Sequence, residues 1–323
     1  MHGIEVEGDG LVWREVAPLD CGPGEVRIEI AATAINRADL IQRQGGYPPP
    51  PGASHIMGLE CAGVVTEIGE GVKRVTVGDP VCALLAGGGY ASETVVPAGQ
   101  VLPVPSGLSL IEAAAIPEVF ATAYLNLYME ANLAKTERVI VHAGASGVGT
   151  AAIQMLRASG HPCFVTASGT DKIARCVALG ADSGHDRGQG SFLKAVQDWT
   201  EGEGVDVILD PVGGQYLADN LASLRLNGRL ILIGLMGGAE TGINLGLLMM
   251  KRLRVVGSTL RARPIAEKAA VMDALKRDVW PNFENGTIKA IIEKTFPIED
   301  TAAAHELVAG NQTVGKVVLE VAR

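Results

Sequence analysis

The sequence predicts an α/β protein of two domains, a mostly antiparallel β-domain followed by a doubly wound parallel sheet. Three observations predict it. Residues 1 to about 115 alternate apolar and polar side chains between Gly/Pro punctuation, the period-two pattern of half-buried strands. From residue 138 onward, short β-branched runs alternate with helical patterns, as in a parallel sheet covered on both faces. The 323 residues exceed what one hydrophobic core usually serves.

In the first part, EVRIEIAATAI, AGVVTEIG, DPVCALL and ASETVVPAG read as strands of a twisted antiparallel sheet. Near residue 110 the pattern changes. SLIEAAAIPEVFATAYLNLYMEA is rich in helix formers, and Ser109 stands as an N-cap three residues before Glu112. RVIVHA, PCFVTA, VDVILD, GRLILIG and LRVVGS then read as parallel strands. Between them GVGTAAIQMLRASG, DKIARCVALGA, GGQYLADNLASL and NLGLLMMKR read as helices. In the last of these, Met249 and Met250 with Leu247 and Leu248 form an apolar face expected in the core. A long helix is expected in PIAEKAAVMDALKRDVW, and GKVVLEV closes the chain as a strand. The pattern alone leaves open which domain this tail completes.

Composition narrows the function. A formal net charge of −9 with no run of Lys and Arg argues against nucleic-acid and anionic-membrane partners. The apolar runs read as too short to span a bilayer. Five cysteines, an odd number without a CxxC pair, fit reduced thiols better than a disulfide framework. The opening MHGIEVEGDG is acidic and lacks an apolar segment, unlike a signal or transit peptide. The expectation is a soluble cytoplasmic protein. Its 41 glycines imply many tight turns and close backbone approaches, as in nucleotide-binding α/β proteins.

The strand VIVHA runs directly into Gly144-Ala145-Ser146-Gly147-Val148-Gly149 and then a helix. In that setting a small-residue turn lets the backbone approach a pyrophosphate, and the helix N-terminus supplies N–H donors. Ser146 stands in place of the second glycine of GxGxxG. A glycine-rich turn without a ligand is the alternative. The next strand ends in Ser168 and Gly169, with Lys172 and Arg187 beyond. Hydroxyls and cations there suit a 2′-phosphate and hence NADP(H), while Asp171 counts toward NAD or simply favours the helix dipole.

A metal is the other question. SHIMGLECAGV offers His55, Glu60 and Cys61, three side-chain types that bind zinc. Together with NRADL, GLECAG, GASGVG and NQTVGKVVLE, the order of parts resembles the medium-chain dehydrogenase/reductase superfamily over essentially the whole chain. Its zinc alcohol dehydrogenases carry a Cys where this chain has Asn36 and a His where it has Leu59. Nothing between Cys82 and Cys163 could build their four-cysteine lobe. The resemblance therefore implies a zinc-independent enzyme, with Cys61 packed as a small hydrophobe, His55 on a loop or surface, and Glu60 as a structural acceptor.

Among the zinc-free members, the stretch Asn36–Tyr47 followed by four prolines, with GLMGG and STLRAR later, is similar to NADPH quinone oxidoreductases of the zeta-crystallin type. It looks most like their tumour-suppressor-inducible branch. The resemblance implies a GroES-like catalytic domain at 1–118 and 282–323, a Rossmann domain at 119–281, and a homodimer paired along the LRVVGS edge. It places Asn36 and Tyr47 on the acceptor side and Thr122 at the nicotinamide carboxamide. Gly144, Ser146, Gly147 and Gly149 fall at the pyrophosphate, and Ser168, Lys172 and Arg187 at the adenosine phosphate. Asn311 and Lys316 would close over the cofactor. For Tyr47 the competing reading is a packed aromatic that stiffens the YPPPP loop; for Asn36 it is a loop residue bonded to its own backbone. Asp39 is expected as a structural acceptor. The implied activity is NADPH-dependent reduction of quinones. The alternatives are enoyl or enone reduction by the same hydride geometry, and a cofactor-binding protein with weak turnover.

Overall fold

The computed structural model describes residues 1–8 and 10–322 and divides into two compact units, Met1–Ala121 with Leu260–Arg323 and Thr122–Thr259.

The first unit opens with a hairpin, β1 (His2–Glu7) and β2 (Gly10–Glu15). Five strands follow: β3 (Glu25–Ala34), β4 (Glu60–Ile68), β5 (Pro80–Leu84), β6 (Glu93–Pro97) and β7 (Val101–Pro103). The four runs read as strands in the sequence are β3 to β6. Alternation works as expected on β3, where Val26, Ile28 and Ile30 point into a core shared with Val65, Val81 and Ala83. Ser109 caps the helix at Leu110–Ala113, its hydroxyl accepting from Glu112 N at 3.2 Å while the Glu112 carboxylate accepts from Ser109 N at 2.9 Å. Helical segments then run on to Glu130. Contrary to the expectation that no apolar run spans a bilayer, Leu110–Glu130 has the necessary length and composition, with 72% of its apolar window buried inside the protein.

The second unit is a parallel sheet. Its strands are β8 (Val139–Val141), β9 (Cys163–Ala167), β10 (Ser183–Asp186), β11 (Val205–Asp210), β12 (Leu224–Leu232) and β13 (Arg254–Gly257), in the order β10-β9-β8-β11-β12-β13. The central strands are buried, with Ile140, Phe164, Ile208 and Leu230 in one core. Sequence reasoning missed β10 and the helix Leu193–Trp199. SGHD is a short polar edge strand, only partly buried, and leaves no apolar pattern to read. The Met249–Met250 expectation fails: these side chains are 77% and 75% exposed. Only Leu247 and Leu248 of that helix pack on the core.

The chain then returns to the first unit through β14 (Ile292–Pro297) and β15 (Lys316–Glu320). They complete a seven-stranded sheet ordered β14-β15-β3-β4-β5-β7, with β6 also paired to β3. This answers the question the tail pattern left open. The return begins at Leu260 rather than residue 282. Its long helix, Ile265–Asp278, packs on the turn at Ala98–Gln100, where a Cβ on Gly99 would lie 2.7 Å from the Ala269 Cβ. Trp280 Nε1 donates to the Pro103 carbonyl at 2.8 Å. These contacts hold residues 260–281 in the first unit.

Candidate active site

In the first unit the polar groups converge behind the helix Arg37–Arg43, whose N-cap is Asn36. The Asn36 amide donates to Glu60 Oε1 at 2.9 Å and to the Ala34 carbonyl at 3.2 Å, and its oxygen accepts from Lys316 Nζ at 2.7 Å. Lys316 also donates to the Ile35 carbonyl at 2.6 Å and pairs with Glu60 at 2.8 Å. All three ammonium donors are therefore used, and Lys316 is 4% exposed. Glu60 Oε2 accepts from Glu118 N at 2.9 Å. This arrangement changes two expectations. Lys316 does not reach out to a cofactor, and the Asn36 amide is committed inside the protein. Both are drawn inward by Glu60, a buried carboxylate that needs cationic and hydrogen-bonding partners. Asn311 accepts a hydrogen bond from Arg37, which also donates to the Val308 carbonyl at 3.2 Å.

Asp39 is the structural acceptor expected of it. Its carboxylate takes Asn36 N at 2.7 Å, Gly58 N at 3.1 Å and the Tyr90 hydroxyl at 3.1 Å. Burial raises its pKa to about 6, against the hydrogen bonds and the Lys316 charge that pull it down. The Tyr90 hydroxyl also meets His305 Nε2 at 3.1 Å. Burial lowers the His305 pKa to about 4, with the charge of Arg43 acting in the same direction.

Tyr47 is half-buried, with a φ of 47°, in the left-handed region that costs an L-residue about 1–2 kcal/mol. Arg261 holds it at both ends. Its NH1 donates to the Tyr47 carbonyl at 2.9 Å, and its guanidinium carbon lies 5.4 Å from the ring centroid. Burial raises the phenol pKa, assisted by Glu118 and opposed by Arg261.

The residues present do not fit a zinc ion. Asn36 and Leu59 stand at the two ligand positions, Leu59 is buried, and the Lys316 ammonium already neutralises Glu60. His55 is a surface residue 3.6 Å from Glu5, and Cys61 is buried with its thiol pKa pushed up. Among the described residues no three His, Cys, Asp or Glu side chains form a group that could hold a metal.

The second unit carries the glycine turn. Ser146 caps the helix Gly147–Ala158, its Oγ accepting from Gly149 N at 3.0 Å. A Cβ on Gly149 would lie 2.5 Å from the carbonyl oxygens of Ala143 and Gly144, and one on Gly144 would lie 2.9 Å from Val165 Cβ. Gly144 N donates to the Thr166 carbonyl at 2.9 Å, fixing the turn to β9. These glycines let the strand, turn and helix pack closely, and Ser146 is left exposed at the helix start. The arrangement fits a dinucleotide pyrophosphate.

Below the turn lies a polar floor that sequence reasoning found only in part. His142, just past β8, is satisfied by one strand partner and one helix partner, Nδ1 to Thr166 Oγ1 on β9 at 2.9 Å and Nε2 to Asn220 Oδ1 on the helix Leu217–Ser223 at 2.7 Å. Burial lowers its pKa to about 4. Asn220 donates to Asp210 at 2.8 Å, and Asp210 accepts from Val212 N at 2.6 Å. Burial raises the Asp210 pKa to about 6.

At the end of β9, Ser168 is half-buried and Gly169 N donates to Asp186 Oδ1 at 2.8 Å. Asp186 also accepts from Gly188 N at 2.9 Å, and these bonds lower its pKa. Its neighbour Arg187 is exposed, and Lys172 is half-buried in the helix Thr170–Leu179. Thr122 lies at the start of the unit, partly exposed, its carbonyl accepting from Asn126 Nδ2 at 2.7 Å. A six-residue π-helix, Leu125–Glu130, follows. π-turns of this kind recur at functional sites.

The two units define an oxidoreductase class: a GroES-like β-domain with a Rossmann dinucleotide domain. The alcohol dehydrogenase GroES-like domain family matches residues 22–106, and the zinc-binding dehydrogenase family matches residues 147–277. A 2-haloacrylate reductase from Burkholderia sp is 30% identical over 325 residues, covering 96% of this chain and 95% of the relative. The structure of Escherichia coli quinone oxidoreductase complexed with NADPH superposes with a TM-score of 0.87 at 29% identity, covering 99% of this chain and 100% of the other. The apo JamJ enoyl reductase gives 0.88 at 26%, covering 99% of each. The chain belongs to the medium-chain dehydrogenase/reductase family, whose members are NAD(P)H-dependent oxidoreductases.

Proposed function

We propose that this protein reduces quinones with NADPH and without zinc. The observation that carries this reading is Lys316 bound to Asn36 and Glu60: a fixed ammonium stands beside the acid of the motif, and the two ligand positions hold no zinc ligand. Oxidising a simple alcohol calls for a Lewis acid at the forming alkoxide. An electrophilic acceptor takes hydride without one. NADPH would supply the hydride, and acceptor plus hydride plus a solvent proton gives the hydroquinone.

The chain's own residues position and polarise. Gly144, Ser146, Gly147 and Gly149 would receive the pyrophosphate, and Thr122 the carboxamide. Ser168, Lys172 and Arg187 would meet the 2′-phosphate, and Asn311 would lie beside the cofactor. Tyr47 would donate a hydrogen bond to the acceptor oxygen as charge develops there, with Asn36 behind it as part of the wall. Five free thiols fit a reducing cytoplasm. The open edge of β13, with Val255, Leu245 and Met249 exposed nearby, supports a homodimer joined along that strand.

The enone reading draws on the 2-haloacrylate reductase and enoyl reductase relatives, since an α,β-unsaturated acceptor takes hydride in the same way. The third reading is a cofactor-binding protein with weak turnover. Steady-state NADPH consumption against a quinone and an enone separates them. Quinone turnover at a higher kcat/KM supports the proposal, and turnover of the enone alone overturns it.

A further inference from the structure

We infer that Arg261 is a positioning residue for the reaction, acting through Tyr47. Its guanidinium holds the aromatic ring and polarises the phenol toward the acceptor. The inference rests on the reading of Tyr47 as an acceptor-side group.

Arg261 comes from the STLRAR stretch and is 3% exposed. Its three nitrogens each have a separate acceptor. Nε donates to the Ala86 carbonyl at 2.8 Å, NH1 to the Tyr47 carbonyl at 2.9 Å, and NH2 to Gln42 Oε1 at 2.8 Å. One side chain thus ties together the helix Arg37–Arg43, the Pro-rich loop and the loop after β5. Lys268 Nζ donates to the Arg261 carbonyl at 3.3 Å, anchoring the arginine at its own backbone.

All three hydrogen-bond acceptors are neutral oxygens. A desolvated cation satisfied this way keeps an outward field; the Asp39 and Glu118 carboxylates and the Lys268 ammonium share it, and the Tyr47 ring, 5.4 Å from the guanidinium carbon, is the group it faces on the acceptor side. A cation over a phenol ring draws electron density from the hydroxyl and strengthens it as a hydrogen-bond donor. The same arginine fixes the left-handed backbone of Tyr47. Geometry and polarisation therefore have one source, and lysine cannot reproduce the three-way fork.

The experiment is a double-mutant cycle of R261K and Y47F, read as kcat and KM for the acceptor, with NADPH affinity measured separately by fluorescence. Arg261 acting through Tyr47 predicts that R261K lowers kcat/KM about tenfold in the native background, with NADPH affinity unchanged. In the Y47F background the same change should cost less than about twofold. Equal losses in both backgrounds overturn the inference while leaving the acceptor role of Tyr47 intact. A Y47F enzyme with native kinetics removes that role, and the inference falls with it. If R261K does not fold, Q42L, which removes one of the three anchors, takes its place in the same cycle with the same criteria.

Discussion

The Lys316 ammonium lies 2.8 Å from the Glu60 carboxylate, both side chains sealed from solvent. A buried pair of this kind gains little over a well-packed apolar alternative, but removing one partner strands the other charge. K316M should therefore destabilise the protein by about 3–5 kcal/mol, read as a lower urea midpoint at unchanged slope. The double variant K316M/E60Q should recover part of the loss, because neither charge is then left alone. Additive losses would show that the two residues are independent.

Asp39 and His305, joined through Tyr90, make opposite contributions to pH-dependent stability. The Asp39 pKa is raised from 3.8 to about 6, so its contribution is full below 3.8 and is lost as pH rises through 6. The His305 pKa is lowered from 6.5 to about 4, so its contribution is full above 6.5 and is lost as pH falls through 4. Between those values the two offset each other. H305Q should leave the aspartate unopposed, with stability gaining up to about 1.4 kcal/mol per pH unit as pH falls from 6 toward 4. D39N should show the reverse slope. Denaturation at several pH values checks both, and parallel profiles would contradict the assignment.

In the proposed reading, Arg187 and Lys172 would carry a preference for NADPH. R187A and K172A should each weaken NADPH binding on the order of tenfold and leave NADH binding within about twofold. Asp186, which holds Gly169 N at the same turn, would set a limit on that preference. D186N should shift binding further toward NADPH as a like charge disappears, at some cost to the turn. Fluorescence titrations with both cofactors decide, and equal losses for the two would remove the phosphate assignment.

The proposed homodimer is tested at β13. V255P removes a ladder N–H and places a ring where strand pairing requires a flat edge. Light scattering at micromolar concentration should give a dimer for the native protein and a monomer for the variant. A native monomer contradicts the proposal.

The parallel sheet was legible because buried β-branched runs such as VIV and VDVILD can do little else between helices. The polar SGHD strand could not be read, since an edge strand held by β9 needs no apolar signal of its own. The helix Ile265–Asp278 was visible as a helix. Its partner was not, because that contact depends on small residues, Gly99 and Ala269, that carry no periodicity. In the site, the Gly144–Gly149 turn was readable because strand, turn and helix are contiguous. The network joining Asn36 to Lys316 spans 280 residues of chain, so no spacing announces it. Arg261 and Asp186 were missed for the same reason: an arginine in a loop or an aspartate ending a short polar strand looks like solvated charge until its partners are known.

The most direct measurement is a single turnover of chelator-treated protein preloaded with NADPH and mixed rapidly with an ortho-quinone, following the loss of reduced-nicotinamide absorbance. The account predicts one fast phase equal in amplitude to the bound NADPH, at a rate no lower than the steady-state kcat and the same without chelator treatment. NADPH that stays reduced in the presence of the quinone, or is oxidised only when an enone replaces it, would contradict the account.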